Sequence, residues 1–325
     1  MTRVSRLRLI ALILLTGFLS FACKTQKEVH PVGEIIPESE RFWEVIPRNT
    51  VIERIGINFE FTEGPAWHPK GKLVFSDINA NTIYEWTGKK FLSYRDSSNQ
   101  ANGLLFMPGG DLLACEHASR SITRYSPAGK LTTLADSYRG MKFNSPNDLC
   151  RSSLGIIYFT DPPWGLAGLN DDPDKEIPFN GVYSLHNDRV SLIDSTLSWP
   201  NGIALSPDDR YLYVANLEIE QLNGEEQYEV FWMRYTLDEQ GGVLNSKVFF
   251  QAEDTSLPGG PDGMTVDGNG NLFVTGPGGI LVLDSAGTFL GTLSLPIPPT
   301  NLTFGPRDQE LFVTARSTLY RISKK

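Results

Sequence analysis

One pattern is written six times along this chain, and no other feature restricts its fold as much. The fullest copy runs Trp199-Pro200-Asn201-Gly202-Ile203-Ala204-Leu205, turns at Ser206-Pro207-Asp208-Asp209, and continues Arg210-Tyr211-Leu212-Tyr213-Val214-Ala215-Asn216. It consists of a polar anchor, a short apolar strand, a Pro-Asp-Asp turn and a strand of alternating aromatic and aliphatic residues. The other copies are anchored on Glu63, Asn102, Asn147, Asp262 and Asn301, with successive anchors 39 to 61 residues apart. Repeats of about 40 to 50 residues with several short strands each are the pattern of a β-propeller. Six copies predict an all-β, six-bladed β-propeller with a central metal site. The two long intervals, between 147 and 262, leave room for insertions at 170–180 and 218–227.

Later strands of the repeats are expected at 91–94, 121–125, 181–185, 229–235 and 280–283, each bounded by Gly, Pro, Asn or Asp turns. Helical periodicity is nearly absent. The segment 43–57 is expected to join the last blade, because a ring closed with strands from both chain ends leaves no unpaired edge.

The chain begins with Arg3, Arg6 and Arg8 ahead of an apolar run from Leu9 towards Phe21. A basic start and a short apolar stretch make an export signal, too short for a stable membrane span. Ala22 followed by Cys23 resembles a bacterial lipoprotein signal, which would make 1–22 the signal and Cys23 the acylated first residue. Residues 23–42 then form a tether, and 43–325 the propeller. This predicts an exported protein, either periplasmic or held at a membrane through the lipid on Cys23. Plain secretion with cleavage near Ala22 and an uncleaved anchor are the alternatives. A formal charge of −9, from 38 acidic and 29 basic residues, offers no footprint for nucleic acid. Cys115 and Cys150 fall at strand-core positions and are expected as buried thiols, with a disulfide as the alternative. No CxxC or His-rich zinc spacing occurs, and the chain has only four histidines.

The anchors carry the chemistry. In a propeller all inner strands start at one end of the central channel, so Glu63, Asn102, Asn147, Asn201, Asp262 and Asn301 are delivered to one ring. Singly, each is an ordinary turn former. Six at one structural position, two of them carboxylates, form a hard-oxygen set suited to Ca²⁺, with Mg²⁺ or Mn²⁺ also compatible.

Glu63-Gly64-Pro65-Ala66-Trp67, Asn144-Ser145-Pro146-Asn147-Asp148, Pro200-Asn201-Gly202 and Pro261-Asp262-Gly263-Met264 resemble the signature loops of the SMP-30/gluconolactonase/LRE-like family. Ala114-Cys115-Glu116-His117, Tyr158-Phe159-Thr160-Asp161-Pro162 and Thr275-Gly276-Pro277-Gly278-Gly279 bring it nearest the bacterial gluconolactonase branch. The resemblance implies a calcium-dependent propeller that hydrolyses sugar lactones, with Glu63, Asn147, Asn201 and Asp262 as metal ligands. It also implies a metal that polarises the lactone carbonyl and a carboxylate, Asp262, that activates water; His117 is the alternative base. Asn102, His117, Trp164 and Asn301 are expected as substrate contacts. Where members resembling the animal lactonases carry an arginine that holds substrate, two residues before the Asn147 position, this chain has Ser145. Two other functions fit the same pattern: a phosphotriesterase or aryl-esterase at the same metal, and a non-catalytic propeller binding sugar or protein. A Gly-x-Ser-x-Gly nucleophile elbow is missing from the sequence.

Overall fold

The computed structural model describes residues 32–222 and 225–324. The expected signal, its Cys23 and residues 24–31 of the tether lie outside the described residues. What is described is an all-β propeller with one short helix, Phe42–Val45, and two single turns of 3₁₀-helix.

Each repeat folds as its pattern dictates. The apolar strand after the anchor pairs antiparallel with the strand after the turn, as in Pro200–Leu205 with Tyr211–Leu222, where Ala204 faces Tyr213 and Leu205 faces Leu212. Further strands follow by hairpins, giving four-stranded sheets that begin at Ala101–Phe106, Leu149–Arg151 and Pro200–Leu205. All five later strands predicted from the sequence are present, at Phe91–Asp96, Ser121–Tyr125, Gly181–His186, Glu225–Leu237 and Ile280 within Gly279–Leu283.

The count of blades differs from expectation. Hydrogen bonding gives five blade sheets rather than six, because the first and last repeats share one six-stranded sheet. Thr50–His68 is the cause: residues 50–57 pair with 318–324 of the C-terminal strand Glu310–Lys324, and residues 62–68 pair with Lys72–Asp77. The two ends of the chain are thereby closed on each other, as the sequence of 43–57 suggested. Residues taken as tether also differ. Glu34–Pro37 is a strand that pairs with Phe289–Ser294 and makes a fifth strand on that sheet. Its Ile35 and Ile36 supply β-branched residues to a pleated edge, and Ile35 packs on the core cluster around Phe42 and Leu293.

Apolar clusters lie between successive repeats. Val74 and Ile83 meet Leu104 and Leu112; Cys115 and Ile122 meet Phe159 and Tyr183; Tyr158 meets Leu212 and Tyr235; Tyr213 and Trp232 meet Val274; Phe273 and Val282 meet Val313; Phe75 meets Phe312. Full burial of each such side chain contributes roughly 1.5–3 kcal/mol, so neighbouring sheets are held by packing rather than by shared backbone ladders. Cys115 and Cys150 are free thiols, Cys115 buried and Cys150 half-buried. Burial pushes both well above the ordinary thiol range, which leaves them inert.

The insertion expected at 218–227 lies in a long hairpin, Tyr211–Leu222 with Glu225–Leu237. Asn216 is the partner of Pro200, and the ladder continues past it to Leu222 opposite Glu225. Six residues at about 3.3 Å each carry it roughly 20 Å beyond the anchor level. The other insertion holds the 3₁₀ turn Leu169–Asp171.

Candidate active site

Five of the six anchor loops are held by a side chain on the second strand of their repeat. Asp77 accepts the backbone N–H groups of Glu60 and Phe61 at 2.9 and 2.8 Å. Asp161 does the same for Asn144 and Ser145, both at 2.8 Å. Asn216 Oδ1 takes Trp199 N–H at 3.0 Å, Thr275 Oγ1 takes Asp262 N–H at 3.0 Å, and Thr314 Oγ1 takes Asn301 N–H at 3.1 Å. Loops that would otherwise bury unpaired donors are satisfied in this way.

The anchor loops are also tied to one another, in a closed circuit. Ser76 Oγ donates to Asn102 O at 2.7 Å, Gly103 N to Asn147 O at 2.8 Å, and Thr160 Oγ1 to Asn201 O at 2.7 Å. Gly202 N donates to Asp262 O at 3.0 Å, Gly263 N to Thr300 O at 2.7 Å, and Thr300 Oγ1 to Thr62 O at 2.8 Å. A glycine after the anchor permits this close approach: a Cβ on Gly202 would collide with the Asp262 carbonyl oxygen. The six anchors therefore share one end of the channel.

Glu63, Asn102, Asn147 and Asn301 are buried, while Asn201 and Asp262 are half-buried. Asp262 lies within hydrogen-bonding reach of Glu63 and Asn201. Burial first, then the charges of Asp262 and Asp148, hold Glu63 well above the ordinary carboxylate range. Burial and the nearby Asp148 push Asp262 up to about 7. Two carboxylates in this position repel unless a proton or a cation lies between them, and they titrate as a pair. Asn102 Oδ1 and Asn201 Oδ1 are buried amide oxygens without a hydrogen-bond partner. Such orphans cost roughly 1–3 kcal/mol each. His117 is buried, with Nε2 3.4 Å from Asn102 Nδ2. Burial lowers its pKa to about 4, so the ring is neutral at physiological pH.

Among the described residues, no three His, Cys, Asp or Glu side chains converge closely enough to hold an ion unaided. The donor set nevertheless fits a hard cation: carboxylates in mutual repulsion next to unpartnered amide oxygens are what an oxygen-coordinated divalent ion relieves.

The sequence reading missed Asp148. It is buried and raised to about 6 by burial, and its Oδ2 takes Asn301 Nδ2 at 3.3 Å. A signal for it existed: four anchors are followed by Gly64, Gly103, Gly202 and Gly263, and Asn147 by an aspartate. The Asp148 carboxylate uses the space that Gly103 leaves, since a Cβ there would stand 2.5 Å from Asp148 Oδ1. Asn301, expected as a substrate contact, is occupied instead: its Oδ1 accepts Leu302 N–H at 2.8 Å and its amide braces Asp148. Trp164 is exposed at the rim, on a loop whose Gly165 packs against His117 and Ser145.

Residues 61–317 match the SMP-30/Gluconolactonase/LRE-like region. A gluconolactonase of Zymomonas mobilis subsp. mobilis is 36% identical over 327 residues, covering 94% of this chain and 90% of the relative. Pentonolactonase XacC of Haloferax volcanii is 26% identical, covering 82% of this chain and 84% of its own. Among solved structures, a gluconolactonase of Xanthomonas campestris superposes with a TM-score of 0.77 at 28% identity, covering 91% of this chain and 99% of that one.

Proposed function

The chain belongs to the SMP-30/gluconolactonase/LRE-like family, and from that premise we propose that it is a lactonase that hydrolyses a sugar lactone, with a divalent cation, Ca²⁺ by preference, held by Glu63, Asn147, Asn201 and Asp262. One observation carries the reading: the Glu63–Asp262 carboxylates stand in conflict at the channel end beside the unpartnered amide oxygen of Asn201. The two relatives named gluconolactonase and pentonolactonase support the substrate class.

When bound, the ion supplies Lewis acidity to the ester carbonyl. The remaining work falls to this chain's residues. Asp262, near 7 without the ion, is ionised once a cation offsets its neighbours, and takes a proton from the attacking water. The water oxygen adds to the carbonyl carbon, the ring C–O bond breaks, and the freed alcohol oxygen takes a proton, leaving an acid. Asp148, held in place by Asn301, adds a third buried carboxyl whose charge acts on the pair. Asn102 and His117 contribute a neutral polar wall for the hydroxyls of the ring, and Trp164 its rim. Neutral His117 is the alternative base, and Asp262→Asn distinguishes the two.

The test is pH-stat hydrolysis of D-glucono-1,5-lactone with and without chelator. Acid release well above the spontaneous rate, lost with chelator and restored by Ca²⁺, is the expected result. Turnover unaffected by chelator removes the metal from the reading, and no excess rate with Ca²⁺ bound removes the lactone.

A further inference from the structure

Two indoles at the mouth of the channel stand outside the polar ring just described. Trp164 and Trp199 come from the third and fourth repeats, and their ring centroids are 4.3 Å apart at 30°. Trp164 is 38% exposed and Trp199 half-buried. Trp199 lies two residues before Asn201, whose Oδ1 is unpartnered, and the residue after Trp164 packs on His117. Trp232, by contrast, sits fully buried. In the Trp164–Trp199 pair Trp164 keeps more than a third of its surface exposed beside the site.

Both indoles are rigidly mounted. Fully buried Ser145 holds the Trp164 loop: its Oγ donates to Pro162 O at 2.6 Å and accepts Gly165 N–H at 2.8 Å. A Cβ at Gly165 would stand 2.6 Å from His117 Cβ, so the loop approaches as closely as a glycine allows. The Trp199 backbone is gripped from the base of the long hairpin, its N–H by Asn216 Oδ1 at 3.0 Å and its carbonyl by Leu217 N–H at 3.4 Å. A buried amide relay joins the two mounts. Asn144 Nδ2 reaches Asp161 O at 2.9 Å and Asn180 Oδ1 at 3.2 Å, and Asn180 Nδ2 reaches Ser198 O at 2.6 Å. Ser198 Oγ in turn donates to Glu218. Exposed aromatic surface on so constrained a support is preorganised for a ligand face.

We propose that Trp164, with Trp199 stacked behind it at 4.3 Å, presents an aromatic wall on which the C–H face of a cyclic polyol packs, making this site selective for the ring form of its substrate. The inference rests on the lactonase reading and adds a specificity device to it. A lactone ring presents a compact C–H face to the indoles while its hydroxyls meet Asn102 and His117. The open-chain acid formed on hydrolysis has no such face, so it loses the contact and leaves.

Calorimetry with the Ca²⁺-loaded protein tests this with two probes: D-glucono-1,5-lactam, which keeps the ring and does not hydrolyse, and D-gluconate, which is open. The expected result is lactam binding about ten-fold tighter than gluconate in the wild type. Trp199→Ala and Trp164→Ala should each weaken lactam binding about ten-fold and raise KM by the same factor, with kcat within about three-fold. Trp199→Phe should recover most of the loss, which a merely structural role would not produce. Equal affinity for lactam and gluconate in the wild type overturns the proposal without any variant, as do alanine variants with wild-type lactam affinity. Wild-type turnover of the lactone is read separately. If it is nil while the lactam still binds and Trp199→Ala loses it, the lactonase reading falls and the aromatic wall stands.

Discussion

Two buried glutamates in neighbouring repeats have opposite surroundings. Glu116 is fully buried and fully answered: Arg95 at 2.7 Å, Thr123 Oγ1 at 2.7 Å, Ser119 Oγ at 2.7 Å and Asn99 Nδ2 at 2.8 Å all donate to it. Glu63 is just as withdrawn from water, yet it faces Asp262 and Asp148. It is answered by its own neighbour, Gly64 N–H at 2.9 Å, and by the amide of Asn301. The first arrangement staples the second repeat just ahead of His117. The second crowds like charges together, a conflict that the cation of the proposed site would relieve. The Arg95 knot satisfies its carboxylate, and the proposed metal site leaves its carboxylates in conflict.

The contrast can be broken at either end. Asp262→Asn should lower lactone turnover about 10⁴-fold, the loss of a positioned base together with a charged ligand. The circular dichroism spectrum should remain that of the wild type, and the thermal midpoint of the chelator-treated protein should not fall, because the mutation removes a repulsion. A near-normal rate takes Asp262 out of the mechanism. Glu116→Ala should do the reverse. Breaking a buried pair by deleting one partner costs about 3–5 kcal/mol, so denaturant unfolding should shift strongly. An unchanged midpoint would mean that the Arg95 knot is not a staple.

The sign of the pH dependence sharpens the comparison further. Asp262 near 7 and Asp148 near 6 lie above their unfolded values, so the folded chain binds the extra protons. Their contribution to stability is complete below about pH 4 and is lost as pH rises through 6 to 7. His117, lowered to about 4, works the other way, its contribution being lost as pH falls from 6.5 towards 4. Ca²⁺ should therefore stabilise the chelator-treated protein more at pH 8 than at pH 5. At a hundred times its dissociation constant it adds about 2.7 kcal/mol, a shift of roughly 4–5 °C for a chain of this size. Equal shifts at both pH values would place the ion elsewhere. The smallest effect expected is that of Gly202→Ala. Its Cβ meets the Asp262 carbonyl and forces apart two links of the anchor circuit, costing about 1–3 kcal/mol with a measurable loss of Ca²⁺ affinity. Wild-type affinity in that variant would show that the circuit does not set the ring.

The strands were legible because period-2 alternation and Pro-Asp or Gly turns are local. The ring of anchors was legible because a repeat places equivalent residues at equivalent points. Asp148 escaped notice because its signal was a missing glycine, an absence that Leu302 after Asn301 shares. The joining of 43–57 to the last blade was expected, but the merging of the first and last sheets was hidden. It depends on one strand, Thr50–His68, pairing with 318–324 through its first half and with Lys72–Asp77 through its second.

By itself the sequence determined the kind of strands, the repeat that orders them and the residue type offered at each inner-strand start, since these follow from side-chain periodicity and backbone preference. Tertiary structure alone decided which oxygens are satisfied and which are left waiting. Asn301 and Asn201 are the same residue at the same repeat position. One is consumed by Asp148 and Leu302 while the other leaves its Oδ1 open to the channel. Hydrogen-bond satisfaction and desolvation depend on every neighbour brought in from other repeats, and those neighbours are known only once the ring has closed.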